Sequence, residues 1–131
     1  MVMSLASKPE VKKPSKATIA KALFAAQKAG EVAGDAWLAK HTKPAFVVLD
    51  GLQVVGKLLD LCALGSMQVY DGRHPLARYL KANGQNWKYF KLGSRLEWRQ
   101  EYGLLSAYYE AAAASLRESL GAKVYAQVRV D

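Results

Sequence analysis

The feature of this chain that most constrains its fold is residues 86–120, the longest segment that can be written as one uninterrupted helix. A stripe of apolar and small residues repeats in it at alternating spacings of four and three: Trp98, Tyr102, Leu105, Tyr109, Ala112 and Leu116. That spacing places one side chain per turn on the same helix face. Such a helix would be about 50 Å long, whereas a compact domain of this size is about 35 Å across. We therefore expect a helix that extends beyond its own domain and contacts a partner.

Length and composition predict one domain with a modest core. The chain has 131 residues, of which 51% are hydrophobic. Its single cysteine, Cys62, excludes an internal disulfide and a multi-cysteine zinc site, and its apolar neighbours favour a buried structural thiol. Residues 1–10 lack the apolar segment of a secretory signal. No stretch reaches 18 residues without a charge, so a conventional transmembrane helix is not expected.

Two further main helices and a short one are predicted upstream of residue 86. The first begins at Ser15 or Thr18 as N-cap and runs to about Lys40, with glycines that indicate either a kink or close helix approach. The second begins at Pro44 and ends near Gly65. Its polar residues follow helical spacing and leave only a narrow polar strip, which suits either a core helix or a helix in a membrane interface. Pro75 begins the short helix, and Asn83 with Gly84 ends it.

The two ends of the chain differ from its middle. Residues 1–15 are rich in lysine and proline and are predicted to be a basic extended tail, either held by a partner or flexible. Residues 121–131 change to a period of two, which predicts a strand-like tail. A lone strand leaves its backbone groups unpaired. It is therefore expected either to add to a sheet in another chain, through Val124, Tyr125 and Val128, or to lie extended on a surface. The predicted fold class is all-α, a small bundle of three main helices and one short helix over residues 16–120.

The formal net charge is +8, and most of the excess lies in residues 73–99, where seven basic residues accompany one acid, Glu97. On a helix, four of these cations would share one stripe, with three aromatic residues nearby. The predicted contact residues are Trp87, Lys88, Phe90, Lys91, Arg95, Trp98 and Arg99. Cations beside aromatic rings suit an anionic membrane surface. They also suit single-stranded RNA, where rings stack on bases and cations hold phosphates. The structural alternative is a solvated basic face whose aromatic residues are turned into the core.

No catalytic constellation is recognisable. His41 and His74 have no carboxylate or cysteine at ligand spacing, and both are interpreted as surface residues. The polar group around Asp71 and His74 lacks a nucleophile, a paired acid and a glycine-rich phosphate loop, and a loop anchor explains it equally well. We expect no enzymatic activity, no metal and no cofactor.

The order of residues in KYFKLGSRLEWRQ, residues 88–100, resembles the peroxisomal membrane-elongation peroxin family of the peroxin-eleven type. In that family such a segment follows a leading amphipathic helix, which here would be residues 50–67, and the resemblance covers about residues 44–109. It implies that Lys88, Phe90, Lys91, Gly93 and Arg95 face a lipid surface or a membrane-bound partner. It also implies a protein that acts through shape and association.

Together these observations predict a non-catalytic accessory or scaffold subunit of a larger organellar assembly. We expect it at or near a membrane surface, mitochondrial rather than peroxisomal. Its expected partners are other protein subunits and anionic lipid headgroups. The alternatives are an RNA-bound protein of the ribosomal type and a membrane-shaping protein of the peroxin-eleven type.

Overall fold

The computed structural model describes residues 13–43, 46–58 and 60–130. In chain order its elements are α1 (Lys16–Lys40), β1 (Phe46–Asp50), β2 (Gln53–Leu58), β3 (Ala63–Val69), α2 (Pro75–Ala82), a short 3-10 helix (Arg95–Trp98), α3 (Tyr102–Leu120) and β4 (Val124–Val130). The strands form two antiparallel two-stranded sheets, β1 with β2 and β3 with β4. The fold is mixed α/β, so the prediction of an all-α bundle is wrong.

The second predicted helix is replaced by strands. Residues 46–58 form a hairpin in which Asp50 pairs with Gln53 and Gly51 adopts a positive φ of 64°. An Asp-Gly pair between runs rich in β-branched residues favours such a hairpin over a helix. Residues 63–69 then form β3. The leading helix implied by the peroxin-eleven resemblance is therefore this hairpin and β3.

The long predicted helix is broken, because only Tyr102–Leu120 is α-helical. Gly93 adopts a φ of 85°, which favours glycine. Ser94 then caps the 3-10 helix in a capping box with Glu97. A helix of 19 residues is about 28 Å long and fits within the domain. The expectation of a helix extending beyond the domain is therefore wrong.

Strand β4 is present where the alternating sequence predicts it, but it pairs within the chain. It runs antiparallel to β3, from Ala63 opposite Val130 to Val69 opposite Val124. On the other side of β3, the Met67 N–H donates to the Phe90 carbonyl at 2.9 Å, and the Phe90 N–H donates to the Met67 carbonyl at 3.0 Å. Strand β3 therefore lies between β4 and residues 87–90, and the premise of a lone C-terminal strand is wrong.

Helix α3 forms the centre of the core, with α1 on one side and the β3–β4 sheet on the other. Tyr108 and Tyr109 are fully buried on it. An added Cβ on Gly30 of α1 would lie 2.7 Å from the Tyr108 ring, and one on Gly34 would lie 2.6 Å from a methyl group of Leu96. The glycines of α1 therefore mark close approach. Four residues of the predicted apolar stripe lie on α3 and are buried: Leu105, Tyr109, Ala112 and Leu116.

Candidate functional site

The β3–β4 sheet has two faces of different chemistry, because successive side chains of a strand point to opposite faces. The inner face packs on α3 and carries Met67, Val69 and Val124, all fully buried. An added Cβ on Gly65 of this face would lie 2.6 Å from the Tyr109 ring. The outer face carries the intervening side chains: Leu64, Ser66, Gln68, Tyr125, Gln127 and Arg129. Leu64, Tyr125, Gln127 and Arg129 are exposed, so this face is open to solvent.

Three tyrosine rings lie at the outer face or its edges. Tyr70, Tyr89 and Tyr125 expose 52%, 53% and 46% of their surface. The rings of Tyr70 and Tyr125 pack against each other with centroids 5.5 Å apart. Gln127 Nε2 donates to the Tyr70 hydroxyl, and the Arg117 guanidinium lies 4.8 Å from the Tyr125 ring centroid. Two of the rings are therefore held in place while they stay accessible.

A pocket of about 280 Å³ opens on the same face. Its lining combines two amides, two cations, a tyrosine, a serine and two apolar residues: Leu64, Ser66, Gln68, Lys88, Tyr89, Gln127, Val128 and Arg129. None of these lining residues is acidic. Within the part of the chain that the structure describes, the hydroxyl of Ser66 is the single buried side-chain polar atom without a hydrogen-bond partner. The pocket therefore joins positive charge to an unsatisfied hydroxyl.

The residues predicted as a basic-aromatic patch do not share one surface. Arg95 donates to Asp35 of α1 at 3.0 Å, and Arg99 forms two hydrogen bonds with the Glu101 carboxylate, at 2.9 and 3.0 Å. The predicted stripe of four cations required a continuous helix, which is absent here. Two of the four cations are therefore already paired with carboxylates.

The other members of the patch are distributed between core and surface. Phe90 is 2% exposed and lies in the core, Trp87 is half-buried, and Trp98 is 86% exposed. The Lys88 ammonium lies 5.2 Å from the Trp87 ring centroid, and that of Lys91 lies 6.0 Å from the Tyr89 ring centroid. No carboxylate pairs with Lys88 or Lys91 in residues 13–43, 46–58 and 60–130. The lysines of the patch thus remain available, and Lys88 lies at the pocket.

The three residues predicted to pair with a strand of another chain lie in different environments. Val124 is buried, and its carbonyl accepts a hydrogen bond from Arg117 at 2.7 Å. Tyr125 is on the outer face, and half-buried Val128 lines the pocket. Val128 pairs with Gly65 of the inner face and packs against the core, so of these three residues Tyr125 is the one on the outer face.

Glu97 is the centre of a buried polar network. Its carboxylate accepts hydrogen bonds from the N–H groups of Leu92 and Ser94 and from the hydroxyls of Tyr108 and Tyr109. Burial, together with this carboxylate, raises the pKa of both tyrosines well above the ordinary value. The network connects the loop before the 3-10 helix to α3, so we assign it a structural role.

Glu101 forms a second structural pair with Arg99. Burial of the Glu101 carboxylate opposes its ionisation, but the hydrogen bonds and the positive charge of Arg99 outweigh burial. The pKa of Glu101 is therefore held below its ordinary value. Because Glu101 is the N-cap residue of α3, this ion pair holds the start of the helix in place.

His74 is a helix cap rather than a free surface side chain. Its Nδ1 accepts from the Leu76 N–H at 3.0 Å, and its Nε2 lies 3.2 Å from the Leu120 carbonyl. The tautomer with the proton on Nε2 satisfies both contacts. Cys62 is half-buried, with its Sγ 3.9 Å from Gln100 Oε1. Both side chains anchor loops to neighbouring elements.

Sequence reasoning missed Ser66, Gln68, Tyr89, Gln127 and Arg129. A signal for the first two was present, because residues 63–69 alternate between small or apolar side chains and bulkier or polar ones. The predicted second helix ended near Gly65, so it included the first three residues of this strand and left the rest to a connection. The pairing of β3 with β4 joins residues more than fifty positions apart, and no local pattern gives it.

Comparisons with protein-family models, curated proteins and solved structures find no match to this chain. Across the helices of the described residues, none has the length and apolar character that crossing a bilayer requires.

Proposed function

We propose that this protein is a binding protein that holds single-stranded RNA on the outer face of the β3–β4 sheet. The observation that carries the proposal is the presence of three exposed tyrosines, Tyr70, Tyr89 and Tyr125, around a basic pocket on one sheet surface. Flat rings exposed on a rigid sheet stack on unpaired bases, and nearby cations hold the phosphates.

The rings of Tyr70 and Tyr125 are already ordered by their contacts in the unbound protein. Tyr125 is in contact with Tyr70 and Arg117, so little side-chain freedom remains to be lost when a base stacks on it. Base stacking on an aromatic side chain contributes about 1–3 kcal/mol per base. Two or three such contacts contribute about 2–9 kcal/mol. A micromolar complex corresponds to about 8 kcal/mol, so it requires the upper part of this range or a further contribution from the two cations.

The chemistry of the face favours RNA over a lipid surface. The amides of Gln68 and Gln127 line the same pocket as the Tyr89 ring and the two cations, and amides suit the donor and acceptor edges of bases. The expectation of a membrane surface depended on four cations along one helix, and two of them are instead paired with Asp35 and Glu101. The membrane-bound subunit and the peroxin-eleven-like protein are kept as outcomes of the test below.

The first experiment measures the affinity for a labelled single-stranded RNA of about 12 nucleotides by fluorescence anisotropy at two salt concentrations. Reversing both pocket charges, with Lys88→Glu and Arg129→Glu, is expected to weaken binding by at least about tenfold. The matched control reverses two exposed lysines of α1, Lys21→Glu and Lys40→Glu, and changes the net charge by the same amount as the pocket variant. We expect the control to change the affinity by less than about threefold.

The second experiment removes rings. Tyr89→Ala with Tyr125→Ala is expected to cost about 2–5 kcal/mol of binding free energy for the pair. Trp98→Ala is the control, because Trp98 is an exposed aromatic that does not line the pocket. Equal losses from the ring variant and the Trp98 variant would contradict the proposal. So would an absence of RNA binding with flotation on anionic vesicles, which would support the membrane alternatives.

A further inference from the structure

The floor of the pocket contains a hydroxyl with no partner. Ser66 is fully buried, and its Oγ has no hydrogen bond in the described residues. A buried polar group without a partner costs free energy, and such a group in a folded protein usually has a water, an ion or a ligand as its partner. The longer side chains that line the pocket are partly or fully exposed, and a ligand meets the Ser66 hydroxyl only after it displaces them.

The walls of the pocket supply donors for an anion. Lys88 and Arg129 bring two positive charges, and Gln68 and Gln127 bring amide N–H groups. The Ser66 hydroxyl can donate one further hydrogen bond. With no acid among the lining residues, nothing in the lining opposes a negative ligand.

The size of the pocket indicates more than an isolated ion. Its volume of about 280 Å³ lies just below the usual range for small-molecule sites, which begins at about 300 Å³. Tyr89 forms one wall and exposes its ring. One nucleotide, with its base against this ring and its phosphate towards the two cations, matches both the size and the chemistry.

Resting on the proposed function, we infer that this pocket holds the terminal phosphorylated nucleotide of a bound RNA strand, with Ser66 donating to the phosphate. A phosphate monoester carries a charge of almost −2 at neutral pH and three free acceptor oxygens. A phosphodiester within the strand carries −1 and has only two free oxygens. Two cations and a hydroxyl in one small pocket therefore fit a monoester at a strand end better than a diester inside a strand.

The test compares three RNAs of one sequence, with a 5′-phosphate, with a 3′-phosphate and without a terminal phosphate, against the wild type and Ser66→Ala. We expect the wild type to bind one of the phosphorylated RNAs about tenfold more tightly than the unphosphorylated RNA. Ser66→Ala is expected to remove most of that preference, so that this variant binds the phosphorylated and unphosphorylated RNAs with affinities within about twofold of each other. The variant should fold, because it removes an unpartnered hydroxyl and leaves no new unpaired group. Ser119→Ala, an exposed serine of α3, is the control.

Isothermal titration with AMP and with inorganic phosphate separates the inference from the proposed function. Binding of AMP that Ser66→Ala weakens, in a protein that binds no RNA, would support the phosphate site and overturn the function. Binding of RNA without regard to a terminal phosphate would support the function and overturn the inference. An unchanged preference in Ser66→Ala would also overturn it, because Ser66 would then hold only a water.

Discussion

At the scale of single residues, the polar groups of this protein divide into satisfied and unsatisfied ones. Glu97 is buried, yet its carboxylate accepts hydrogen bonds from two backbone N–H groups and two tyrosine hydroxyls. Ser66 is equally buried and has no partner. The first arrangement stabilises the fold, because every polar group has a partner. The second is more informative about function, because folding alone gives no reason for it.

The tyrosines on Glu97 predict a loss of stability in alkali. Burial and the carboxylate raise the pKa of Tyr108 and Tyr109 in the folded protein, whereas in the unfolded chain a tyrosine has a pKa of about 10. Their contribution to stability is therefore complete below about pH 10 and decreases as the pH rises further. Well above pH 10, each group should lower the free energy of unfolding by about 1.4 kcal/mol per pH unit.

Urea unfolding between pH 9 and pH 11.5 measures this slope, with tyrosine ionisation followed by absorbance at 295 nm. Tyr109→Phe should be less stable than the wild type at pH 9, because it loses the hydrogen bond to Glu97. Its stability should then decrease less steeply with pH, by the contribution of one tyrosine, which separates ionisation from the lost hydrogen bond. Ionisation of all seven tyrosines in the native protein, before it unfolds, would contradict the prediction.

At the scale of elements, the helices with local end signals and the alternating strand β4 were predictable, whereas β1, β2, β3 and the break before α3 were not. Ser15 accepts from the Thr18 N–H as the N-cap of α1, and α2 begins at Pro75 and ends before Asn83, as the sequence predicts. The polar spacing of residues 50–60 fits a helix as well as a hairpin, and the Asp-Gly pair at Gly51 was the deciding signal. Short apolar runs leave this ambiguity, because helix and strand both bury them.

The candidate site lay beyond local prediction for a different reason. Its residues come from β3, β4 and the segment that includes Lys88 and Tyr89, and only long-range pairing brings them together. The charge and aromatic content of the region around Lys88 were visible in the sequence, but the partners of Arg95 and Arg99 were not. There was therefore no reason in the sequence to exclude Arg95 and Arg99 from the predicted patch, although they pair with Asp35 and Glu101.

The packing of α1 against α3 gives a prediction at this scale. In an ordinary helix interior, Gly→Ala stabilises by about 1 kcal/mol. Gly30→Ala should instead destabilise the protein by about 1–2 kcal/mol, because its Cβ would lie 2.7 Å from the ring of Tyr108, which is fully buried and cannot move aside. Thermal and urea unfolding measure the change.

The matched control for Gly30 is Ala20→Gly on the exposed side of the same helix, which reports helix propensity alone. It should destabilise by about 1 kcal/mol. If Gly30→Ala is more stable than the wild type, α1 and α3 are farther apart than the structure places them.

At the scale of the whole molecule, the last strand is part of the domain. Val124 and Ala122 are buried, β4 pairs with β3 along its whole length, and α3 packs on the inner face of both strands. Because β4 closes one side of the core, the sheet surface that carries the pocket exists only in the complete fold. The interpretation of residues 121–131 as a tail directed outward is not supported by this arrangement.

Truncation tests this integration. A chain that ends at Gly121 loses the partner of β3 and exposes the inner side chains of that strand, including Val69 and Met67. We expect it to lack a cooperative thermal transition and near-ultraviolet circular dichroism, because unpaired backbone groups and lost apolar burial together exceed the stability of a small domain. A chain that ends at Arg129 is the control, since Val130 is half exposed and its removal should lower the free energy of unfolding by less than about 1 kcal/mol.

A cooperative transition in the chain that ends at Gly121 would mean that α1 and α3 form a core without the sheet. In that case the helices would stay folded without β4, but the outer face would lack Gln127 and Arg129, and the truncated chain should no longer bind RNA.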